Sequence, residues 1–343
     1  MIQTSGRDGS TRAREISCAL VAVAYAATHQ QALRDAFAPA EVIEVDWSDQ
    51  NAVSAALDHA DVAVIPGAID DRFLAAPHLQ WIHCDASGIE SSARPEIFAR
   101  GLIVSGSAGR SAPVLAEHAL FLTLSLIYDS PALMLAQQEH RWRGIAGYSD
   151  RRGLYGKTIG IVGLGATGMA VARLAKALHM RVLGYRRSDQ PVPADVDHVY
   201  SVERGARLTP LLKESDVVVL ATRLSNETRL LVRDEELAAM KSTAYLVNVA
   251  RGAVVDEGAL VRALQEGSIA GAGLDVFTSE PLAAESPLWS LPHVIITPHM
   301  TPEMPDFQGE CLAIIRDNIH RYRMGQPLRN ALVPEDVYTL SER

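Results

Sequence analysis

Between Thr158 and Gly168 the chain carries Gly163, Gly165 and Gly168, spaced as a phosphate-binding turn directly after a short apolar strand. In a dinucleotide fold the first glycine makes the tight turn and the second lets backbone approach a pyrophosphate. The third lets the next helix pack on its strand. That helix opens at Ala166 and Thr167 and places Met169, Ala172, Leu174, Ala175 and Leu178 at apolar positions. Its free N–H groups and positive dipole end suit phosphate. A second strand, Arg181 to Tyr185, completes the order strand, turn, helix, strand, which predicts dinucleotide binding over a plain glycine turn. The end of that second strand selects the cofactor. A carboxylate about twenty residues past the first glycine would hold an adenosine ribose and repel a 2′-phosphate. This chain instead offers Arg186, Arg187 and Ser188, with no carboxylate until Asp189. Two guanidiniums and a hydroxyl suit a phosphate dianion, which favours NADP(H) and leaves NAD(H) as the second choice. The alternative for these residues is a solvated basic loop.

The elements that must carry this turn fill a chain of 343 residues, enough for two domains with full cores. A hydrophobic content of 48% against 21% charged residues describes a globular protein, and the net charge of −9 argues against nucleic-acid or anionic-membrane partners. Cys18, Cys84 and Cys311 lie far apart, so neither a disulfide framework nor a metal site is readable, and no metal is expected. No apolar run approaches a membrane span. Arg7, Arg12 and Arg14 before the apolar run Ile16 to Ala27 resemble a secretion signal. Asp8 and Glu15 interrupt the basic segment, and the run serves equally as a first buried strand, so a cytoplasmic protein with a mobile tail over 1–14 is expected.

The first third alternates strands (Cys18–Ala24, Val42–Val45, Val62–Ile65, Trp81–Cys84, Ile103–Val104) with helical patterns at Gln31–Phe37 and Ala52–Ala60. This is the pattern of an α/β parallel sheet covered by helices. A long apolar helix from Ala112 to about Ile127 follows, then a polar, aromatic loop or arm from Gln137 to Gly156. Alternation resumes with strands at Val217–Leu220, Ala244–Val247, Gly273–Val276 and Val294–Thr297, and a helix at Asp256–Gln265 closed by Gly267. A final amphipathic helix presents Phe307, Cys311, Ile314, Ile315 and Ile319. His83, His118 and His140 read as ordinary packing or surface histidines.

Three later segments carry a more specific signal: Asn248 to Asp256; Gly273 to Phe277 with Glu280-Pro281-Leu282; and Thr297-Pro298-His299. With Gly101-Leu102-Ile103-Val104 and Leu115-Ala116-Glu117-His118 ahead of the glycine turn, they resemble the D-isomer-specific 2-hydroxyacid dehydrogenase family from about Ser17 onward. The resemblance implies two Rossmann-like or flavodoxin-like parallel-sheet domains. A dinucleotide domain (112–302) is inserted into a substrate domain (15–111 plus 303–343), with the site in the cleft between them.

It further implies roles for single residues. Arg251 matches the arginine that grips the substrate carboxylate and polarises its carbonyl, a task for a permanently charged planar fork. His299 matches the acid/base, and Glu280 the carboxylate that orients it and favours its protonated form. Asp275 matches a cofactor contact near the nicotinamide, and Thr222, Arg223, Val249, Ala250, Arg251 and His299 complete the cofactor set. Ser87 and Gly88 resemble the loop whose backbone N–H groups hold the substrate carboxylate, beside Arg251 and His299, with a simple turn as the alternative. Two departures bear on the substrate. Arg223 stands where the family usually has proline, either adding positive charge near the cofactor or as a neutral surface exchange. Met300 and Thr301 replace small residues after the histidine.

The expected reaction is NADP(H)-preferring reduction of a small 2-oxo acid, glyoxylate or hydroxypyruvate first, by a homodimer joined through the cofactor domain with Trp142 in an interface arm. The alternatives are an NAD-linked lactate- or phosphoglycerate-type dehydrogenase, or a nucleotide-sensing corepressor or scaffold on the same fold. Formate dehydrogenases of the superfamily resemble a glutamine–histidine pairing that Glu280 does not match.

Overall fold

The computed structural model describes residues 13–145, 147–148, 153–300 and 304–339. The expected tail therefore falls almost wholly outside the described residues, with Arg7 and Arg12, as does Thr301. The chain forms two compact units, Met1–Arg110 with Pro305–Arg343, and Ser111–Met304.

In the first unit, β1 (Cys18–Val21), β2 (Glu41–Glu44), β3 (Val62–Ile65), β4 (Trp81–Cys84) and β5 (Ile103–Gly106) form a parallel sheet in the order β2-β1-β3-β4-β5. Strands β1, β3 and β4 are buried along their whole length, which is why β1 and β3 read as unbroken apolar runs rather than alternating ones, and β4 as one broken only by His83. Successive side chains still leave on opposite faces. Leu20, Ala63, Ile65 and Ile82 pack with Val53 and Leu57 of α2 (Gln50–Leu57), Phe73 of α3 (Asp71–Ala75) and Ile97 of α4 (Pro95–Arg100). Ala19, Val21, Val62, Val64 and Trp81 pack with Leu33 and Phe37 of α1 (Ala27–Phe37). Helix α2 starts two residues before the expected Ala52, because Asp49 caps it by accepting from the Ala52 N–H at 3.0 Å. Strand β1 stops at Val21, short of the expected Ala24, although Ala22 N–H still donates to Val64 O at 2.8 Å.

The second unit opens with α5 (Ala112–Tyr128) and α6 (Ser130–Gln138), the latter reaching into the segment read as an arm. Then come β6 (Thr158–Val162), α7 (Ala166–Ala177), β7 (Arg181–Arg186), β8 (His198–Ser201), α8 (Thr209–Glu214), β9 (Val217–Leu220), α9 (Asp234–Ala239), β10 (Tyr245–Asn248), α10 (Glu257–Gln265), β11 (Gly271–Leu274) and β12 (Val294–Ile296). All seven strands run parallel in the order β12-β11-β10-β9-β6-β7-β8. The order reverses between β6 and β9, so the glycine turn after β6 lies at the topological switch point where such sheets bind ligands. Strand β11 sits two residues earlier than expected, because Gly271-Ala272-Gly273 lacks the β-branched residues that mark a strand. No single helix among the described residues is long and apolar enough to cross a membrane.

Helix α11 (Phe307–Arg323) returns to the first unit, where Leu312, Ile315, Ile319 and Tyr322 cover the face that α1 covers. Tyr322 stacks on Trp81 with ring centroids 5.3 Å apart.

Candidate active site

The turn after β6 is shaped by what a side chain would strike. Gly163 has φ +98°, and a Cβ there would lie 2.6 Å from Ala221 O; a Cβ on Gly168 would lie 1.9 Å from Gly163 O. Around Gly165 there is open space, and Gly165 caps α7 with no side-chain hydrogen bond. The first N–H groups of α7 thus have no side-chain acceptor, and the space beside them is clear, as a pyrophosphate requires. The residues present fit a dinucleotide.

At the end of β7 the arginines divide. Arg186 folds over its own loop, its Nη2 donating to Gln190 O and Pro191 O, the latter at 3.1 Å. Its Nε is buried without a partner among the described residues. Arg187 is exposed, and its carbonyl is tied down by Ser201 Oγ at 3.2 Å and Glu203 N–H at 3.1 Å. Asp189, the nearby carboxylate, is paired with Arg204 while its N–H donates to Glu203 Oε2 at 2.8 Å. Past β9, Thr222 and Arg223 sit in a loop closed by Thr228 Oγ1, which donates to Arg223 O at 2.7 Å.

The loops after β10, β11 and β12 bring Arg251, Glu280 and His299 into one set. Buried Asn248 shapes the first loop: its Oδ1 accepts from Ala250 N–H at 3.0 Å and its Nδ2 donates to Arg251 O at 3.1 Å. Arg251 Nη1 donates to Ala250 O at 2.8 Å. A Cβ on Gly252 would lie 1.9 Å from the carbonyl carbon of Phe277, so only glycine lets the Arg251 loop rest on the backbone that leads to Glu280. Glu280 Oε1 accepts from Phe277 N–H at 2.9 Å, and Oε2 lies 2.7 Å from His299 Nδ1. Partial burial would raise the Glu280 carboxyl. The His299 ring, the Phe277 N–H and the charges of His299 and Arg251 outweigh that and hold it below its ordinary range. His299 itself has φ +49°, a left-handed conformation uncommon outside glycine. Its N–H donates to Asp275 O at 2.9 Å and Thr297 O at 3.0 Å, which fixes that backbone.

Asp275, expected at the cofactor, is 1% exposed, and its Oδ1 accepts from Thr297 Oγ1 at 2.6 Å and Met300 N–H at 3.2 Å. His118, read from the sequence as an ordinary packing histidine, reaches the same group. Its Nε2 lies 3.0 Å from Thr297 Oγ1 and 3.3 Å from Asp275 Oδ1. Thr297 has one hydroxyl proton, directed at Asp275, so His118 Nε2 carries the N–H in this contact. The pair Glu117-His118 on α5 was the available signal, but nothing in the sequence said which residues it would meet. His83 is buried between Ser105 Oγ (3.1 Å from Nδ1) and Ser107 Oγ (2.9 Å from Nε2), and His140 is exposed.

In the first unit, the loop after β4 holds Ser87 and Gly88. Ala86 O accepts from Ser107 N–H at 2.9 Å, and the peptide that follows is trans. A trans peptide directs its N–H opposite its carbonyl, so Ser87 N–H points away from that anchor. Among the described residues neither Ser87 N–H nor Gly88 N–H has an acceptor. Two unpaired amides at a glycine turn suit an anion.

A family model described as D-isomer specific 2-hydroxyacid dehydrogenase, NAD binding domain, matches residues 120–301. A glyoxylate reductase of Thermococcus kodakarensis is 40% identical over 281 residues, 77% of this chain and 80% of that protein. A second, from Pyrococcus furiosus, is 37% identical over 278 residues, 77% and 79% of the two chains. A solved D-isomer specific 2-hydroxyacid dehydrogenase from Xanthobacter autotrophicus Py2, in complex with NADPH and MES, is similar at TM-score 0.76 and 28% identity, covering 94% of this chain and 99% of that one. An NADPH-dependent glyoxylate/hydroxypyruvate reductase from Sinorhizobium meliloti, in complex with NADP and sulfate, has TM-score 0.73 and 25% identity, covering 93% and 98%.

Proposed function

The chain belongs to the D-isomer-specific 2-hydroxyacid dehydrogenase family, and from that premise we propose that it reduces a small 2-oxo acid to the D-2-hydroxy acid with NADPH as preferred reductant. Membership makes it an oxidoreductase acting on a CH–OH donor. The observation that carries the mechanism is the 2.7 Å contact between Glu280 Oε2 and His299 Nδ1. With the Nδ1 proton directed at the carboxylate, Nε2 bears a proton only in the imidazolium form. Imidazolium therefore donates to the substrate carbonyl oxygen during reduction, and neutral imidazole accepts from the hydroxyl during oxidation. Glu280 keeps the ring in that tautomer and offsets its charge. Arg251 grips the substrate carboxylate and polarises the carbonyl, while Ser87 and Gly88 N–H groups donate to the carboxylate. When bound, the nicotinamide supplies the hydride to the carbonyl carbon. The turn at Gly163, Gly165 and Gly168 with Ala166 and Thr167 holds the pyrophosphate. Val249, Ala250 and Thr222 border it, while buried Asp275 acts on the site by holding Thr297 and the Met300 N–H rather than by touching the nicotinamide.

Preference for NADPH rests on the basic end of β7, where Asp189 is already paired with Arg204 and exposed Arg187 stands beside Ser188. The similarity to glyoxylate reductases makes glyoxylate and hydroxypyruvate the first substrates to assay. Both acids should be reduced, with a KM for NADPH about tenfold or more below that for NADH. No turnover of any small 2-oxo acid with either cofactor would overturn the reading, and a lower KM for NADH would overturn the cofactor assignment. We further infer a homodimer through the second unit, because α5 and α6 leave Phe121, Tyr128, Met134 and Leu135 exposed and Trp142 is 92% exposed. Sedimentation as a monomer would contradict it. Buried free thiols at Cys18, Cys84 and Cys311 suit a reducing cytoplasm.

A further inference from the structure

Arg110 ends the first unit's N-terminal segment, just past β5, and nothing in the proposed reaction assigns it a role. It is nonetheless built into the base of the Ser87–Gly88 loop. Its Nη1 donates to Asp85 O at 2.8 Å and to Asp85 Oδ1 at 3.2 Å, so one nitrogen pins both backbone and side chain of the residue that begins the loop. Asp85 is further fixed by Ser107 Oγ on Oδ1 and Tyr25 OH on Oδ2, each at 2.7 Å. The guanidinium lies 4.4 Å from the centroid of the Phe307 ring, and Nη1 reaches Cys311 Sγ at 3.5 Å, so α11 holds it from behind. Its Nε is buried with no partner among the described residues, an expense a cation tolerates only where its charge or geometry is needed.

We propose that Arg110, with Asp85 and Tyr25, forms a charge-balanced frame that positions the Ser87 and Gly88 N–H groups for the substrate carboxylate, Arg110 being the positioning residue. This rests on the proposed 2-oxo acid reading of the same loop. Two consecutive carbonyls, Asp85 O and Ala86 O, are drawn inward by Arg110 Nη1 and Ser107 N–H. Drawing Ala86 O inward turns the next N–H outward. The charge matters as well as the geometry. A carboxylate one residue from an anion-binding turn would repel its ligand, and Arg110 cancels that field at close range. The frame also keeps its protons. Burial would raise the Asp85 carboxyl, but Ser107, Tyr25, Cys311 and Arg110 together hold it low. Burial and Asp85 push the Tyr25 phenol up, and burial with Asp85 pushes the Cys311 thiol up to about 11. Burial pushes His83 down to about 4, so it stands neutral beside Ser107. Carboxylate, phenol, thiol and imidazole thus each stay in one protonation state through neutral pH.

The test uses the full chain saturated with NADPH and two probes, glyoxylate turnover and calorimetric binding of oxalate, which needs no turnover. Arg110→Met should raise KM for glyoxylate and Kd for oxalate at least tenfold, with Kd for NADPH within twofold of the parent. Adding Asp85→Asn to Arg110→Met removes the carboxylate left unpaired and should recover at least threefold of that loss. A purely structural defect would instead show as a fall in thermal stability that tracks the oxalate loss. The Tm of both variants is therefore read beside oxalate affinity, and an affinity loss that follows Tm alone would overturn the frame. Tyr25→Phe removes one hydrogen bond, and a two- to fivefold weakening of oxalate is expected even if the Arg110 variant does not fold. Oxalate affinity within twofold of the parent in Arg110→Met, a double variant no better than the single one, or Tyr25→Phe unchanged would each overturn the frame. If the parent binds oxalate but reduces no 2-oxo acid, the reaction reading fails while the frame stands, because the variants still move oxalate affinity.

Discussion

Two ionic contacts of similar length serve different ends in this molecule. Glu280 and His299 meet at 2.7 Å with side chains 35% and 47% exposed, whereas Asp85 and Arg110 meet at 3.2 Å with side chains 8% and 16% exposed. The first pair hangs from loops past β11 and β12, open to water and to protons. The second is enclosed by Tyr25, Ser107, Phe307 and Cys311. A group that must exchange a proton in each turnover cannot be buried so deeply that one form is forbidden. Groups that must hold a backbone still gain from burial, which suppresses titration and screening. On the proposed reading, the contact that exchanges a proton is the one near solvent and the static contact is the one inside a unit.

If that division is right, the largest loss comes from the titrating side. His299→Ala should lower kcat by roughly 10²–10⁴-fold, with NADPH affinity preserved, because only the general acid is removed. A turnover assay beside a fluorescence titration of NADPH checks it; a fall in cofactor affinity of the same size would make His299 a structural residue. Next in size is Arg251→Lys, which keeps charge but loses the fork. A charge-assisted hydrogen bond is worth about 1.5–3 kcal/mol, so kcat/KM for the oxo acid should fall roughly ten- to hundredfold. Parent-like kcat/KM in that variant would reduce Arg251 to a loop contact. Smaller still is the cofactor effect. Arg187 is exposed at the end of β7, and a charge-assisted bond to a phosphate is worth about 1.5–3 kcal/mol, so Arg187→Ala should cost about tenfold of the NADPH preference. Arg186 Nη2 donates to the Gln190 and Pro191 carbonyls, so Arg186→Ala should cost only a few-fold. Ratios of NADPH to NADH KM for the two variants decide it, and the reverse order would mean Arg186 leaves its loop to meet the phosphate.

Much of this division was legible in the sequence, and the part that was not has a physical reason. The fully buried strands β1, β3 and β9 announced themselves as apolar runs, and β4 did so apart from His83. The glycine turn could be recognised because Gly163 and Gly168 answer steric demands within a few residues or at the neighbouring strand end, while Gly165 leaves open space at the start of α7. Strand β8 was passed over because an edge strand reading His198-Val199-Tyr200-Ser201 is short and half exposed. Arg251, Glu280 and His299 came from motif resemblance, not from pattern. The residues that hold the site together were invisible for a different reason. His118 meets Thr297 at a separation of 179 residues, and Arg110 meets Cys311 at 201. Periodicity and local spacing carry no information about contacts that only the closed sheets create. Asn248 differs in that its contacts are local, its side chain lying within three residues of everything it ties, yet its place in a motif said nothing of that role.

The comparison between the two ionic contacts is tested most directly by the pH profile of the reaction in both directions, for the parent and for Glu280→Gln. Glu280 is held below its ordinary range, so its carboxylate and the contribution it makes persist above that range and are lost as pH falls through the lowered value. At neutral pH the charge is present and favours imidazolium. Removing it should therefore move the alkaline limb of reduction, and the rising limb of oxidation, toward acid. A limb that stays in place in Glu280→Gln would contradict the account, because the group that exchanges the proton would then not be the one Glu280 holds.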